Sequence, residues 1–191
     1  MILFVCEGNV CRSPLAAALL SRAFGEAGIG LAVGSAGTRA LVGRPVDEST
    51  AALAERAGLD LSEHRARRLD RDLAGSAQLL LAATRRVRSQ AVAIHPPAVQ
   101  YAFTIRQLGR LLAGADGPVT EASDPAERVL DVRTYAVRHR GLRVLEDPSV
   151  DDIVDPYGRS MEIHTEAAGQ LAPAVGELSR ALGGPGIDWP R

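Results

Sequence analysis

The chemistry of this chain is concentrated near its start, in Cys6-Glu7-Gly8-Asn9-Val10-Cys11-Arg12-Ser13. A cysteine, five intervening residues, an arginine and a hydroxyl residue form a pattern suited to a tetrahedral anion. The Cys6 sulfur is a nucleophile once it is ionised, and thiolates attack phosphorus. The fork of Arg12 can hold two oxygens of that anion and stabilise charge that shifts during transfer. Ser13 can donate its hydroxyl to the Cys6 sulfur, which steadies the anion and eases its departure. Gly8 lets the backbone turn in close. Asn9 tolerates left-handed backbone and bonds to neighbouring main chain. The stretch from Cys6 through Glu7, Gly8, Asn9, Val10, Cys11 and Arg12 to Ser13 therefore reads as a phosphate cradle, with Glu7 turned away from the anion.

A phosphoryl group moved onto sulfur leaves behind an oxygen that needs a proton. The acid that fits is Asp155, in Val154-Asp155-Pro156-Tyr157-Gly158. Asp155 would protonate the leaving oxygen first and activate water second. Pro156 stiffens the turn, and Tyr157 can pack against an aromatic ring.

These residues need a scaffold. Ile2-Leu3-Phe4-Val5 reads as a buried strand over residues 1–6, and residues 13–27 read as a helix with Ser13 as N-cap and Pro14 at its first position. Strand, tight loop and helix N-terminus together bind phosphate through backbone N–H groups and the helix dipole. Residues 31–33 read as a second strand, and residues 34–38, rich in glycine, as turns. Asp47 or Ser49 caps a helix stopped by Gly58. Residues 78–83 read as a third, fully buried strand, followed by a helix from Thr84 to about Ile94 that Pro96-Pro97 breaks. Residues 99–103 are the fourth strand, and Ile105, Leu108, Leu111 and Leu112 follow at helical spacing. Strands alternating with helices predict an α/β fold with a parallel sheet covered on both faces. Residues 125–140 read as a helix between two connectors. A last helix spans about residues 160–182, kinked or split by Pro173, and residues 183–191 read as a flexible tail.

The 191 residues suit one domain, and 46% hydrophobic and 24% charged content with a net charge of −1 describes a globular chain. No basic block is interleaved with aromatics, so no nucleic-acid partner is expected. All 22 basic residues are arginine, which excludes Schiff-base chemistry and a Walker-type Gly-Lys loop. Two cysteines without a Cys/His cluster predict no structural metal. The apolar runs are too short to span a bilayer, and the first strand starts at Met1, so the expected location is the cytoplasm, with no membrane partner.

The segment from Val5 to Pro14 resembles the loop of the low-molecular-weight protein tyrosine phosphatases of bacterial type, and Asp155-Pro156-Tyr157 resembles their general-acid loop. Gly34-Ser35-Ala36-Gly37-Thr38, Gly43-Arg44-Pro45-Val46-Asp47 and His64-Arg65-Ala66-Arg67 follow in the family's order. The resemblance implies a phosphotyrosine phosphatase I-like fold with four parallel strands flanked by helices. It implies a phosphocysteine intermediate and no metal or other cofactor. It implies that Asn9, Ser13, Ser35 and His64 brace the loop, and that Cys11 is the redox partner of the nucleophile. Leu41 and Tyr157 would wall the substrate pocket, with Leu41 replacing the aromatic of eukaryotic members. The implied partner is a protein bearing phosphotyrosine, a bacterial tyrosine kinase among the candidates, and the expected state is a monomer or weak dimer. Residues 1–191 would be a single domain with an extended helical insertion at about 113–150. Three other readings share the loop: a phosphatase for small phosphate esters, an arsenate reductase-like protein and a non-catalytic phosphotyrosine-binding module. The usual arsenate route needs a cysteine after Cys11, and the chain has none.

Overall fold

A computed structural model describes residues 1–142 and 145–189. Its elements are β1 (Ile2–Cys6), α1 (Arg12–Glu26), β2 (Val33–Gly37), α2 (Glu48–Arg56), α3 (Arg71–Gly75), β3 (Leu79–Ala82), α4 (Arg85–Ile94), β4 (Ala102–Thr104), α5 (Ile105–Ala113), α6 (Pro125–His139) and α7 (Met161–Ala181). The strands form one parallel sheet in the order β2-β1-β3-β4. This is the four-stranded α/β sheet that the alternation of apolar strands and amphipathic helices predicts.

The pleat sorts the side chains. Ile2, Phe4, Leu79, Leu81 and Phe103 bury against α1, α5, α6 and α7. Leu3, Val5, Leu80, Ala82 and Ala102 bury on the opposite face, against α3 and α4. A strand covered on both faces has no use for polar alternation, which is why β1 and β3 are continuous apolar runs. From β1 the chain goes to β2 on one side and returns to β3 on the other. The carboxyl end of β1 is thus a topological switch point, where such sheets open a crevice. Asp47, Thr84, Thr104 and Asp124 each cap a helix with a side-chain oxygen.

Several local expectations give way to packing. The glycine-rich stretch read as turns is β2, paired with β1 in a register that sets Cys6 opposite Gly37. Small residues there serve close approach: a Cβ on Gly37 would lie 2.5 Å from the Glu7 carbonyl oxygen. Pairing with β1 overrides turn propensity. Helix α1 starts at Arg12, with Cys11 as N-cap and no side-chain cap. Ser13 is therefore inside the first turn, and its hydroxyl is committed elsewhere. The fourth strand is confined to Ala102–Thr104, because Pro96–Gln100 turn as a 3-10 helix. Helix α3, capped by Asp70, has no forecast in the hydrophobic pattern.

Helix α7 runs through Pro173 as one element, so it is not split; the proline removes only the bond to the Gly169 carbonyl. The tail up to Trp189 is packed. Ile187 is buried against Gly176, and the Gly184 N–H donates to Ser179 O at 2.8 Å. The remaining tail positions, 190 and 191, and positions 143 and 144 of the connector lie outside the described residues. Helix α6 forms as expected and buries Val129, Val132 and Ala136 in the core.

Helices α5 and α7 meet at Gly109, where an added Cβ would lie 2.6 Å from Ala174 Cα. Gly109→Ala should push the helices apart and cost about 1–3 kcal/mol. A urea titration should show a lower midpoint at unchanged slope; an unchanged midpoint would contradict this packing.

Candidate active site

The loop after β1 is held from outside by its own carbonyls. Cys6 O accepts from Thr38 N–H (3.0 Å), Glu7 O from Arg39 N–H (2.9 Å), Gly8 O from Leu41 N–H (3.0 Å) and Val10 O from Asp47 N–H (2.9 Å). Asn9 O accepts from His64 Nε2 at 2.8 Å. The N–H groups of Glu7, Gly8, Val10 and Cys11 are used in no hydrogen bond among the described residues. With every carbonyl drawn outward, these donors line the concave side. The positive end of α1 points into the same space.

Asn9 is the brace beneath. It is the one non-glycine residue with positive φ among the described residues, at 57°, a conformation asparagine tolerates better than most residues. Its Nδ2 donates to Ser13 Oγ and to Ser35 Oγ, each at 2.9 Å, and its Oδ1 accepts from Arg67 N–H at 2.8 Å. Ser13, Ser35 and His64 thus converge on Asn9. Arg67 was missed: its Nε also donates to Ser35 O at 2.8 Å. No local pattern signals this, because the contact depends on the chain returning beside β2.

Cys6 Sγ lies at the base. Asn9 N–H donates to it at 3.1 Å, and Ser13 Oγ lies 3.0 Å away. The Ser13 hydroxyl also approaches Ala36 O at 3.2 Å, so its proton has two acceptors. Arg12 is almost wholly buried. Its Nη2 pairs with Asp155 Oδ2 at 2.6 Å, and its Nη1 donates to Ile153 O at 3.2 Å. Its Nε is buried with no partner. A buried guanidinium N–H costs free energy unless paired, and an anion oxygen in the cradle would pair it.

The cavity over the loop is about 370 Å³, lined by the loop residues with Leu41 and Tyr157 as walls, Arg39 at the rim and Asp155 opposite the sulfur. Asp155 Oδ1 also accepts from Tyr157 N–H at 3.3 Å. Glu7 turns outward, as expected, to ion pairs with Arg39 and Arg86. Among the described residues, none of 113–150 lines this cavity.

Cys11 lines the cavity too, and both cysteines are free. Burial first, then the negative charges of Asp47, Cys6 and Asp155, push the Cys11 thiol up to about 12, against a hydrogen bond with Thr50. Behind it, Thr50 Oγ1 contacts His164 Nδ1 at 2.9 Å, and His164 Nε2 lies 3.4 Å from Asp47. Sequence reasoning passed over Thr50 and His164, which lie 114 positions apart.

Fold and loop together define a cysteine-based phosphoanion site at the switch point of a parallel α/β sheet. Residues 1–131 match the model of the family described as low molecular weight phosphotyrosine protein phosphatase, and the chain belongs to that family. EpsP of Ralstonia solanacearum, a probable low molecular weight protein-tyrosine-phosphatase, is 39% identical over 107 residues, 56% of this chain and 71% of that protein. A protein-arginine-phosphatase of Geobacillus stearothermophilus is 28% identical over 181 residues, 95% of each chain. The crystal structure of the tyrosine phosphatase Wzb from Escherichia coli K30 in complex with sulphate superposes with a TM-score of 0.69 at 26% identity, covering 95% of this chain and 97% of that one. The family match ends before Asp155, so the case for that residue rests on geometry.

The brace predicts a pH effect. Burial first, then the charges of Arg67 and Arg65, lower the pKa of His64, against the hydrogen bond to Asn9 O. The unfolded chain therefore takes up the His64 proton before the folded chain does. His64 contributes stability that is complete above about pH 6.5 and is lost as pH falls below it. The drop in urea midpoint between pH 7.5 and 5.5 should be smaller in His64→Gln, whose amide can still donate to Asn9 O; an identical drop would remove His64 from the account.

Proposed function

We propose that this chain hydrolyses phosphotyrosine on proteins through a phosphocysteine intermediate, with Cys6 as nucleophile, Arg12 as phosphate clamp and Asp155 as acid and base. The observation that carries this reading is a nearly buried sulfur beneath unused backbone N–H groups, with a carboxylate across the cavity on the same arginine. Entry of a phosphate gives Arg12 a new partner at Nε and Nη2 and frees the Asp155 carboxylate, which takes up a proton from solvent before the transfer. The sulfur attacks phosphorus in line with the tyrosyl oxygen. The S–P bond forms as the P–O bond breaks, and the tyrosyl oxygen takes the Asp155 proton. In the second half, Asp155 takes a proton from water, the water oxygen attacks phosphorus, and the S–P bond breaks. The Ser13 hydroxyl then steadies the departing sulfur.

The walls favour an aryl substrate. Cys6 is 2% exposed, whereas Leu41 and Tyr157 on the walls are 36% and 56% exposed. A flat side chain long enough to reach past these walls fits better than serine. The relative that acts on phosphoarginine makes a second reading specific. A phosphorylated guanidine calls for a second carboxylate besides the acid, yet Glu7, the other carboxylate lining the cavity, is held by Arg39 and Arg86. This favours tyrosine.

Cys11, beside Cys6 in the cavity, is assigned as its reversible disulfide partner under oxidation. Residues 1–191 are taken as one domain, with 113–150 as an addition whose helix α6 docks on the core away from the cavity. Among the described residues no helix is long and apolar enough to cross a membrane. A cytoplasmic monomer or weak dimer acting on a phosphorylated protein, such as a bacterial tyrosine kinase, is the proposed setting.

Cys6→Ser should abolish turnover of an aryl phosphate; full activity would exclude the mechanism. Asp155→Ala should slow turnover about 10²–10⁴-fold with a poor leaving group, and much less with a good one. Substrate class is read from kcat/KM on phosphotyrosine, phosphoarginine and phosphoserine peptides and on sugar phosphates. Phosphotyrosine should lead clearly, and equal rates would remove the tyrosine assignment.

A further inference from the structure

The segment that carries Asp155 is anchored upstream by two ion pairs bordering a second cavity. This cavity, about 170 Å³, opens beside the carboxyl ends of β3 and β4, on the same edge of the sheet as the catalytic loop. Four arginines line it: Arg85, Arg88, Arg110 and Arg140. Two are matched. Arg85 Nη2 pairs with Asp152 and Arg110 Nη2 with Asp151, each at 3.1 Å.

Arg88 and Arg140 are not matched by carboxylates. Arg88 Nη1 donates to Gln107 Oε1 at 3.3 Å, and Arg140 Nη1 donates to Val99 O at 3.1 Å. Neither has a carboxylate within ion-pair distance among the described residues. Arg140 also lies over the Phe103 ring, 5.7 Å from its centre. Burial first, then the charge of Arg140, holds Arg88 below the ordinary arginine range, while Asp151 and Asp152 pull it back. Among the described residues, four arginines line the cavity against Asp151 and Asp152, with the charge of Asp147 also reaching Arg85, so an excess of positive charge remains, centred on Arg88 and Arg140. The N-terminus of α5, capped by Thr104 in the cavity wall, adds a positive dipole end.

We propose that this cavity is an accessory binding site for a phosphate dianion, held chiefly by Arg88 and Arg140. A phosphate group carries about −1.5 to −2 charge at neutral pH, opposite in sign to the local excess. Guanidinium forks suit its oxygens better than ammonium groups would. The dianion is either a second phosphorylated side chain on a bound substrate or free inorganic phosphate. Only the first source depends on the phosphatase reading; binding itself does not.

The test is a titration of isotope-labelled full-length protein with inorganic phosphate, followed by amide NMR shifts. Amides of residues 85–88 and 104–107 should shift with a dissociation constant of their own, separate from that of residues 7–13. Arg88→Gln should weaken the first set about tenfold or more and leave the second unchanged, and Arg88→Lys, which keeps the charge, should fall between. Shifts confined to residues 7–13, or equal affinity in Arg88→Gln, would overturn the site. A second arm compares kcat/KM for doubly and singly phosphorylated peptides. An advantage for the doubly phosphorylated peptide that disappears in Arg88→Gln assigns the site to substrate. No advantage, with the titration intact, assigns it to free phosphate.

Discussion

Backbone N–H groups can converge on one point only if the carbonyls of the same peptides are satisfied elsewhere. In this protein that condition is met by the segments at 38–47 and by His64, which together take the carbonyls of residues 6–10. Asn9 completes the arrangement from beneath, with every polar group of its side chain and its carbonyl committed. A buried carbonyl left without a donor would cost about as much as a lost hydrogen bond. The neighbouring segments are therefore part of the loop's conformation. The loop binds an anion because the surrounding chain has already absorbed the opposite ends of its peptide dipoles.

Arg12 joins this cradle to the distant segment that closes the cavity. Its three nitrogens have three fates: Nη1 on the Ile153 carbonyl, Nη2 on Asp155, and Nε unpaired in the buried wall. A single side chain thus ties the loop to Asp155 and keeps one buried donor free toward the cavity. Ile153 is fixed in turn to the end of β3, where its N–H donates to Ala83 O at 2.9 Å. Just upstream, Asp151 and Asp152 are held by Arg110 and Arg85. The segment that carries Asp155 is consequently suspended between Arg12 at one end and Arg85 and Arg110 at the other. In a chain with no lysine, this places planar forks at both ends of that segment, where bidentate pairing with carboxylates and phosphates fixes geometry as well as charge.

Much of this was legible in the residues. The apolar runs at 2–5 and 79–82 can only be buried strands. A thiol, an arginine and a hydroxyl at that spacing between a strand and a helix read as a phosphate cradle. Caps at Asp47 and Thr84 follow from side-chain chemistry that acts over three residues, which a sequence displays directly. Where the reading failed, a long-range contact had outweighed a local preference. Residues 34–38 look like turns, yet 34–37 pair with β1. Ser13 looks like a helix cap, yet its hydroxyl is taken by Cys6, Asn9 and Ala36. Residues 183–189 look like a loose tail, yet Ile187 and Trp189 pack against the core.

The sequence by itself therefore determined the fold class and the phosphate loop with its cysteine and arginine, and it pointed to Asp155 as the candidate acid, because each rests on residue chemistry or on periodicity within a few positions. Only the tertiary structure decided what surrounds them. It placed Arg67 on Asn9 and Ser35, Thr50 and His164 behind Cys11, and four arginines around a second cavity. Those relations join residues from separate elements. Hydrophobic periodicity specifies that each element is buried, but not which polar side chains meet once the elements are packed, since that depends on strand order and helix contact.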